Sequence, residues 1–196
     1  MRISLIIVRR RQRGPTMNIG EELVSAYLQH KLKCEFVQQN LYTVEVQGEI
    51  DVVGISLAGP KLYVCEVAIH LSTGLQYTKD RRPNNIQKLI EKFSKDIEYA
   101  RARFQGYEHH FMLWSPIVKR RSNPTYDQMG HLEQVSREIE GRYGVKLDFV
   151  VNQRFQECLE ELRDLAAVSG AELKSPVMRL LQIEKQLERH IAKSGV

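Results

Sequence analysis

Apolar and polar positions along this 196-residue chain recur with two periods, about 3.6 and 2, and the order in which they alternate predicts the architecture. In 18–33 the apolar residues Ile19, Leu23, Val24, Ala26, Tyr27, Leu28 and Leu32 follow helical spacing, with Asn18 as the N-cap. The apolar arc is wide enough to pack on two sides. Glu21 stands three residues before Val24 and seven before Leu28, so it lies on the flank of that arc and can point inward. Residues 34–38 and 42–46 read as short strands. Residues 47–54 and 61–70, rich in β-branched and aromatic types around Ala58-Gly59-Pro60, read as an antiparallel hairpin.

Pro83-Asn84 opens a second helix that runs to about Phe104, with Ile86, Leu89, Ile90, Phe93, Ile97 and Ala100 as its core face. Gln87 and Lys92 fall on opposite flanks of that face, and Lys88 points nearly outward. The continuous run Phe111-Met112-Leu113-Trp114 within 110–118 marks a buried strand stopped by Ser115-Pro116. A helix over 126–143 and a strand over 145–151 follow. After Gln153, two helical stretches separated by Ser169-Gly170 form a helical hairpin. Its stripes, Leu159, Leu162, Leu165 and Ala166 on one helix and Val177, Leu180, Leu181, Leu187 and Ile191 on the other, require burial. The order predicts an α/β fold, a mixed β-sheet flanked by helices, with a C-terminal helical hairpin. It divides into a basic leader over 1–16, a core over 17–152 and a helical appendage over 153–196.

Charge and cysteine usage narrow the setting. The 29 Lys and Arg outnumber the 24 Asp and Glu, for a formal net charge of +5, which suits polyanionic partners without requiring them. Three widely spaced cysteines, Cys34, Cys65 and Cys158, form no CxxC pair and suggest a reducing cytoplasm in place of a disulfide framework. The apolar run Leu5 to Val8 is too short for a membrane span. The arginines at positions 9, 10, 11 and 13 read as a flexible leader or an arm for phosphates, with Met17 as a possible start.

The expected hairpin carries the candidate chemistry. Side chains alternate along a strand, so Glu49, Asp51 and Val53 share one face, as do Glu66, Ala68 and His70 on its partner. Two acids thereby meet among apolar neighbours. Such carboxylates need a cation, a hydrogen-bond network or a raised pKa. A cross-strand Lys or Arg would serve, and so would a hard divalent metal taking oxygens from Asp51, Glu66 and the Val67 carbonyl.

A helix bearing Gly20-Glu21, a strand with Gly48-Glu49-Ile50-Asp51, a hairpin return to Glu66-Val67 and then a long helix resemble the PD-(D/E)xK nuclease superfamily, in particular its small members similar to archaeal Holliday-junction resolvases. The resemblance spans about 17–118 and implies a restriction-endonuclease-like sheet. It implies that Glu21, Asp51 and Glu66 hold Mg²⁺ or Mn²⁺ and that the chain hydrolyses phosphodiester bonds of DNA. The family's lysine, two positions after the second acid, is replaced by Ala68. Lys92, Lys79 and His70 are candidate replacements, and Gln87 could position a water or phosphate without charge. Lys79, Arg81, Arg82, Lys119, Arg120 and Arg121 would grip the nucleic-acid backbone. The alternative is a catalytically inactive relative that binds nucleic acid or serves as a subunit, and the C-terminal helices could form a homodimer or dock a partner.

Overall fold

The computed structural model describes residues 18–43 and 48–194. The basic leader and the end of the second short strand expected over 42–46 lie outside the described residues. Asn18 caps the first helix, α1 (Ile19–His30), accepting from the Gly20 amide at 3.0 Å, and Glu21 and Glu22 in the first turn complement the helix dipole. One strand, β1 (Phe36–Thr43), replaces the two short ones expected. Asn40 makes this possible by taking a left-handed conformation (φ 51°) mid-strand, a conformation asparagine tolerates. The ladder continues across it, from Gln39↔Val52 to Leu41↔Ile50.

The hairpin forms as β2 (Gly48–Ser56) and β3 (Lys61–Val67), so β3 ends before Ala68 and His70. After the two-residue strands β4 (Thr78–Lys79) and β5 (Arg82–Pro83) come α2 (Asn85–Arg103), β6 (Glu108–Ser115), a 3-10 turn (Pro124–Tyr126), α3 (Gln128–Tyr143) and β7 (Leu147–Val151). The chain then enters α4 (Gln153–Val168) and α5 (Pro176–Ser194). The main sheet has five strands in the order β1-β2-β3-β6-β7. The first three pair antiparallel, and β3, β6 and β7 pair parallel. Both crossovers step the same way across the sheet, so a common hand delivers α2 and α3 to one face. There Leu89, Phe93 and Ile97 meet Val64, Leu113 and Leu132.

The other face is covered by α1, α4 and the start of α5. Trp114 lies fully buried at its centre, with Tyr27 edge-on at 5.1 Å and Phe155 at 6.0 Å. The helices over 153–194 thus complete the cover of one sheet face. Only part of their apolar surface is used. Val177 and Met178 are buried, whereas Leu180, Ile183, Leu187 and Ile191 remain 46–66% exposed. The expected burial fails for that stripe because α5 seats its first turn and one flank, leaving the other flank outward. Cys34, Cys65 and Cys158 are free and buried on this same side. Among the described residues no helix is long and apolar enough to cross a membrane.

Candidate active site

The antiparallel ladder runs to Val52↔Cys65, so one step further Asp51 stands across from Glu66, both facing α2. The Val67 amide donates to Asp51 Oδ2 at 2.7 Å, which fixes that carboxylate at the end of β3. Lys92, on the flank of α2 that faces the hairpin, donates to Glu66 Oε2 and lies 3.8 Å from Asp51 Oδ2. One turn on, Asp96 stands close enough to Glu66 for its carboxylate to act on the Glu66 charge. Glu66 is 1% exposed and Asp96 5%, and Glu66 Oε1 and Asp96 Oδ2 are both buried without a hydrogen-bond partner. A cavity of about 210 Å³ opens over the cluster, rimmed by Glu49, Lys88, Glu91 and Lys95.

Burial, with the Asp51 and Asp96 carboxylates, pushes Glu66 well above the ordinary range against the pull of Lys92. Burial likewise raises Asp96, to about 7, although Glu66 and Lys92 oppose it. For Lys92 burial acts downward, but Glu66 and Asp51 outweigh it and hold the ammonium above the usual lysine value. Lys92 thus stays charged beside two carboxyls, Glu66 and Asp96, that burial pushes toward their protonated forms. Tyr77 feels the same charges, and burial pushes its phenol up to about 12.

The remaining candidates disperse. Glu21 is buried on the α1 side, where Asn18 donates to one oxygen and Asn40 to the other at 2.8 Å. Asn40 falls between the pairs Gln39↔Val52 and Leu41↔Ile50, and Glu21 bonds to Asn18 and Asn40 and not to Asp51, Glu66 or Lys92. His70 lies past the end of β3, exposed, with its ring edge-on to Tyr77 at 6.4 Å. Gln87 is exposed on the far flank of α2, in the groove toward α3. Lys88, expected to point outward, instead rims the acidic cavity, because β2 rises beside that flank of the helix.

The loop over 71–83 is ordered by the β4–β5 hairpin, whose turn residues Asp80 and Arg81 both have positive φ (50° and 63°). It holds Lys79, Arg81 and Arg82 exposed, with Lys79 near enough to Glu91 on the cavity rim to act on its charge. Of the second basic run, Arg120 is taken up by Asp127 (3.1 Å) and Glu133, and Lys119 Nζ donates to the Ser72 carbonyl at 2.8 Å. The Arg121 guanidinium has no partner among the described residues. Asp96 went unnoticed in the sequence because it sits between Phe93 and Ile97 in an otherwise ordinary core stripe. Its signal was the spacing of four from Lys92, which stacks the two side chains on one helix face.

The chain matches no protein-family model, no curated protein and no solved structure. What it has in hand is an α/β fold with a mixed sheet flanked by helices and a buried acid–lysine cluster at the carboxyl end of β3. Among the described residues no three His, Cys, Asp or Glu side chains stand as a ready-made metal-binding group. The cluster nevertheless offers hard oxygen donors, two of them buried and unpaired, which is the donor chemistry Mg²⁺ or Mn²⁺ takes.

Proposed function

We propose that the chain is a metal-dependent nuclease of the PD-(D/E)xK kind, acting on DNA, with Asp51 and Glu66 as acids and Lys92 as the basic residue. The observation that carries this reading is Lys92 itself: its ammonium reaches both Asp51 and Glu66, so that α2 offers the basic group that Ala68, just past β3, cannot. Asp51 is oriented by the Val67 amide, and the unpaired Glu66 oxygen supports a hard-cation site at the strand end. A divalent cation bound there would neutralise phosphate charge and lower the pKa of a water. Lys92 is placed to orient that water or to stabilise the oxygen on which charge develops. Lys79, Arg81 and Arg82 on the adjacent hairpin would hold the backbone in a salt-dependent, sequence-independent way.

The second reading is an inactive relative that binds nucleic acid. It is favoured by one observation, that Lys92 already supplies a cation to the two acids. Labelled single-stranded, duplex and branched DNA, with RNA alongside, incubated with Mg²⁺, Mn²⁺ or EDTA, separate the two. The nuclease reading expects metal-dependent cutting that is lost in Asp51→Ala, Glu66→Ala and Lys92→Met while each variant still unfolds cooperatively. Absence of cutting with every metal and substrate, alongside salt-dependent binding that survives those substitutions, selects the inactive relative.

A further inference from the structure

A second cavity, about 550 Å³, lies between the loop that follows β3 and the loop that follows β6. Both strands are parallel and both loops leave their carboxyl ends, the end at which open α/β sheets receive ligands. The lining includes Ser72, Gln76, Lys119, Arg121, Thr125 and Tyr126, and no acidic side chain is among the residues that form it. The nearest acid, Asp127, is occupied by the Arg120 side chain and the Arg121 amide.

The walls are braced from beneath by buried amides. Gln128 accepts from the Lys119 amide at 2.9 Å and donates to the Thr73 carbonyl at 3.0 Å, bridging the two loops. Gly74 (φ +72°) leaves room for this bridge, since a Cβ there would stand 2.6 Å from Gln128 Oε1 and 3.0 Å from the Ile117 carbonyl. Asn85 donates to the Leu75 carbonyl and contacts His131 Nδ1, while His131 Nε2 reaches the Pro124 carbonyl. These bonds make the site preformed. Lys119 is held in place by Ser72, whereas the Arg121 guanidinium is exposed and unpartnered. Two cations among hydroxyls and amides, without a carboxylate, suit an anion rich in oxygens. The volume exceeds what a phosphate alone would fill, and Tyr126, 57% exposed, offers a flat apolar face at the rim.

We propose that this cavity is a nucleotide subsite that seats one unit of a nucleic-acid strand, with Lys119 and Arg121 on its phosphate and Tyr126 against its base. It rests on the nucleic-acid substrate proposed above but not on cleavage. Glu66 is the penultimate residue of β3, so the cavity and the acid cluster lie at the same end of that strand. A phosphate ester can also come from a free mononucleotide. The subsite is assigned to a strand because the hairpin of Lys79, Arg81 and Arg82 borders the same β3–α2 connection and extends the positive surface beyond one nucleotide.

The test is fluorescence anisotropy of a labelled single-stranded DNA 12-mer in EDTA over a salt series, using the full chain. Arg121→Gln and Lys119→Gln are each expected to weaken binding several-fold and to lower the log–log salt slope by about 0.7. Tyr126→Ala is expected to weaken it about 5-fold to 100-fold without changing the slope. Arg120→Gln, whose side chain is already paired, is expected to stay within twofold. Unchanged affinity and slope in both Arg121→Gln and Lys119→Gln would overturn the subsite even if Asp51→Ala abolished cleavage, leaving the nuclease reading intact. Weakened binding in a protein that cuts nothing would uphold the subsite while the nuclease reading fails. Mononucleotide binding as tight as that of the 12-mer would overturn the assignment to a strand.

Discussion

The two faces of the main sheet are built from neighbouring residues of the same strands, yet they solve opposite problems. On the α1 side, Val52, Tyr63, Cys65 and Trp114 meet Phe155, Cys158 and Leu162 in an apolar contact whose stability follows from area removed from water. On the α2 side, residues one position away, Asp51 and Glu66, are buried with Lys92 and Asp96. Burying ions costs several kcal/mol each before their attraction returns any of it. A chain selected for stability alone would fill that position with aliphatic residues. The α1 face is thus held by apolar packing, and the α2 face gives up some of that packing to bury charge.

The sharpest way to break this comparison is to remove one member of each face. Trp114→Ala should cost about 3–5 kcal/mol by loss of packing, and Lys92→Met about the same by stranding buried acids. The first loss should be equal at pH 5 and pH 8 in urea unfolding. The second should shrink at pH 5, where the raised carboxyls take up protons. Equal losses at both values for Lys92→Met would mean that the cluster is solvated and the contrast between the faces unfounded. Combining Lys92→Met with Glu66→Gln should restore part of the stability, because the most deeply buried of the acids that Lys92 compensates is neutralised while Asp51 remains.

Asp96 gives a prediction with a definite sign. Unfolded, its carboxyl titrates near 3.9; folded, it titrates near 7. Between those values the native state holds a proton that the unfolded chain does not. The resulting stabilisation is full below about pH 4 and is lost as pH rises to 7, with a ceiling of about 4 kcal/mol. Asp96→Asn should flatten that part of the curve of unfolding free energy against pH. A curve unaltered by the substitution would remove Asp96 from the cluster.

Smaller effects sharpen the picture. A Cβ on Gly20 would lie 2.3 Å from Ile69 Cγ1 and 3.1 Å from Val67 Cγ1, so Gly20→Ala should cost about 1–3 kcal/mol by forcing α1 off the end of β3. It should also lower any cleavage activity, since Val67 orients Asp51. At the bottom of the scale, Arg163 and Glu184 pair at 3.1 Å between α4 and α5 with both side chains about half-exposed. Arg163→Gln should cost no more than about 1 kcal/mol in thermal unfolding.

Periodicity made the fold readable. The helical stripe of 86–100 and the unbroken Phe111–Trp114 run each determined an element whose ends moved by only a few residues. Asn40 was the exception, because the left-handed residue that bridges β1 looks in sequence like a break between strands. The acids Asp51 and Glu66 were legible from strand alternation, since a period of two leaves only one way for them to face. Lys92 could be narrowed but not chosen, because helical angle tells which flank a side chain occupies and not which sheet residue lies beneath it. Gln128 and Asn85 were not legible, and Asp96 only through its spacing of four from Lys92. Their roles depend on partners far along the chain, Glu66 for Asp96, Thr73 for Gln128 and His131 for Asn85, which no local pattern encodes.

The three buried thiols have a consequence of another kind. With Cys34 beneath α1, Cys65 inside β3 and Cys158 on α4, each reagent-accessible moment of a thiol is a moment of opening at its own location. The burial that raises the Cys65 and Cys158 thiols also shields them. Alkylation timed residue by residue in the native buffer would therefore act as a set of clocks. If α4 and α5 lift away as a unit, Cys158 runs fast while Cys65 keeps the slow time of whole-molecule unfolding.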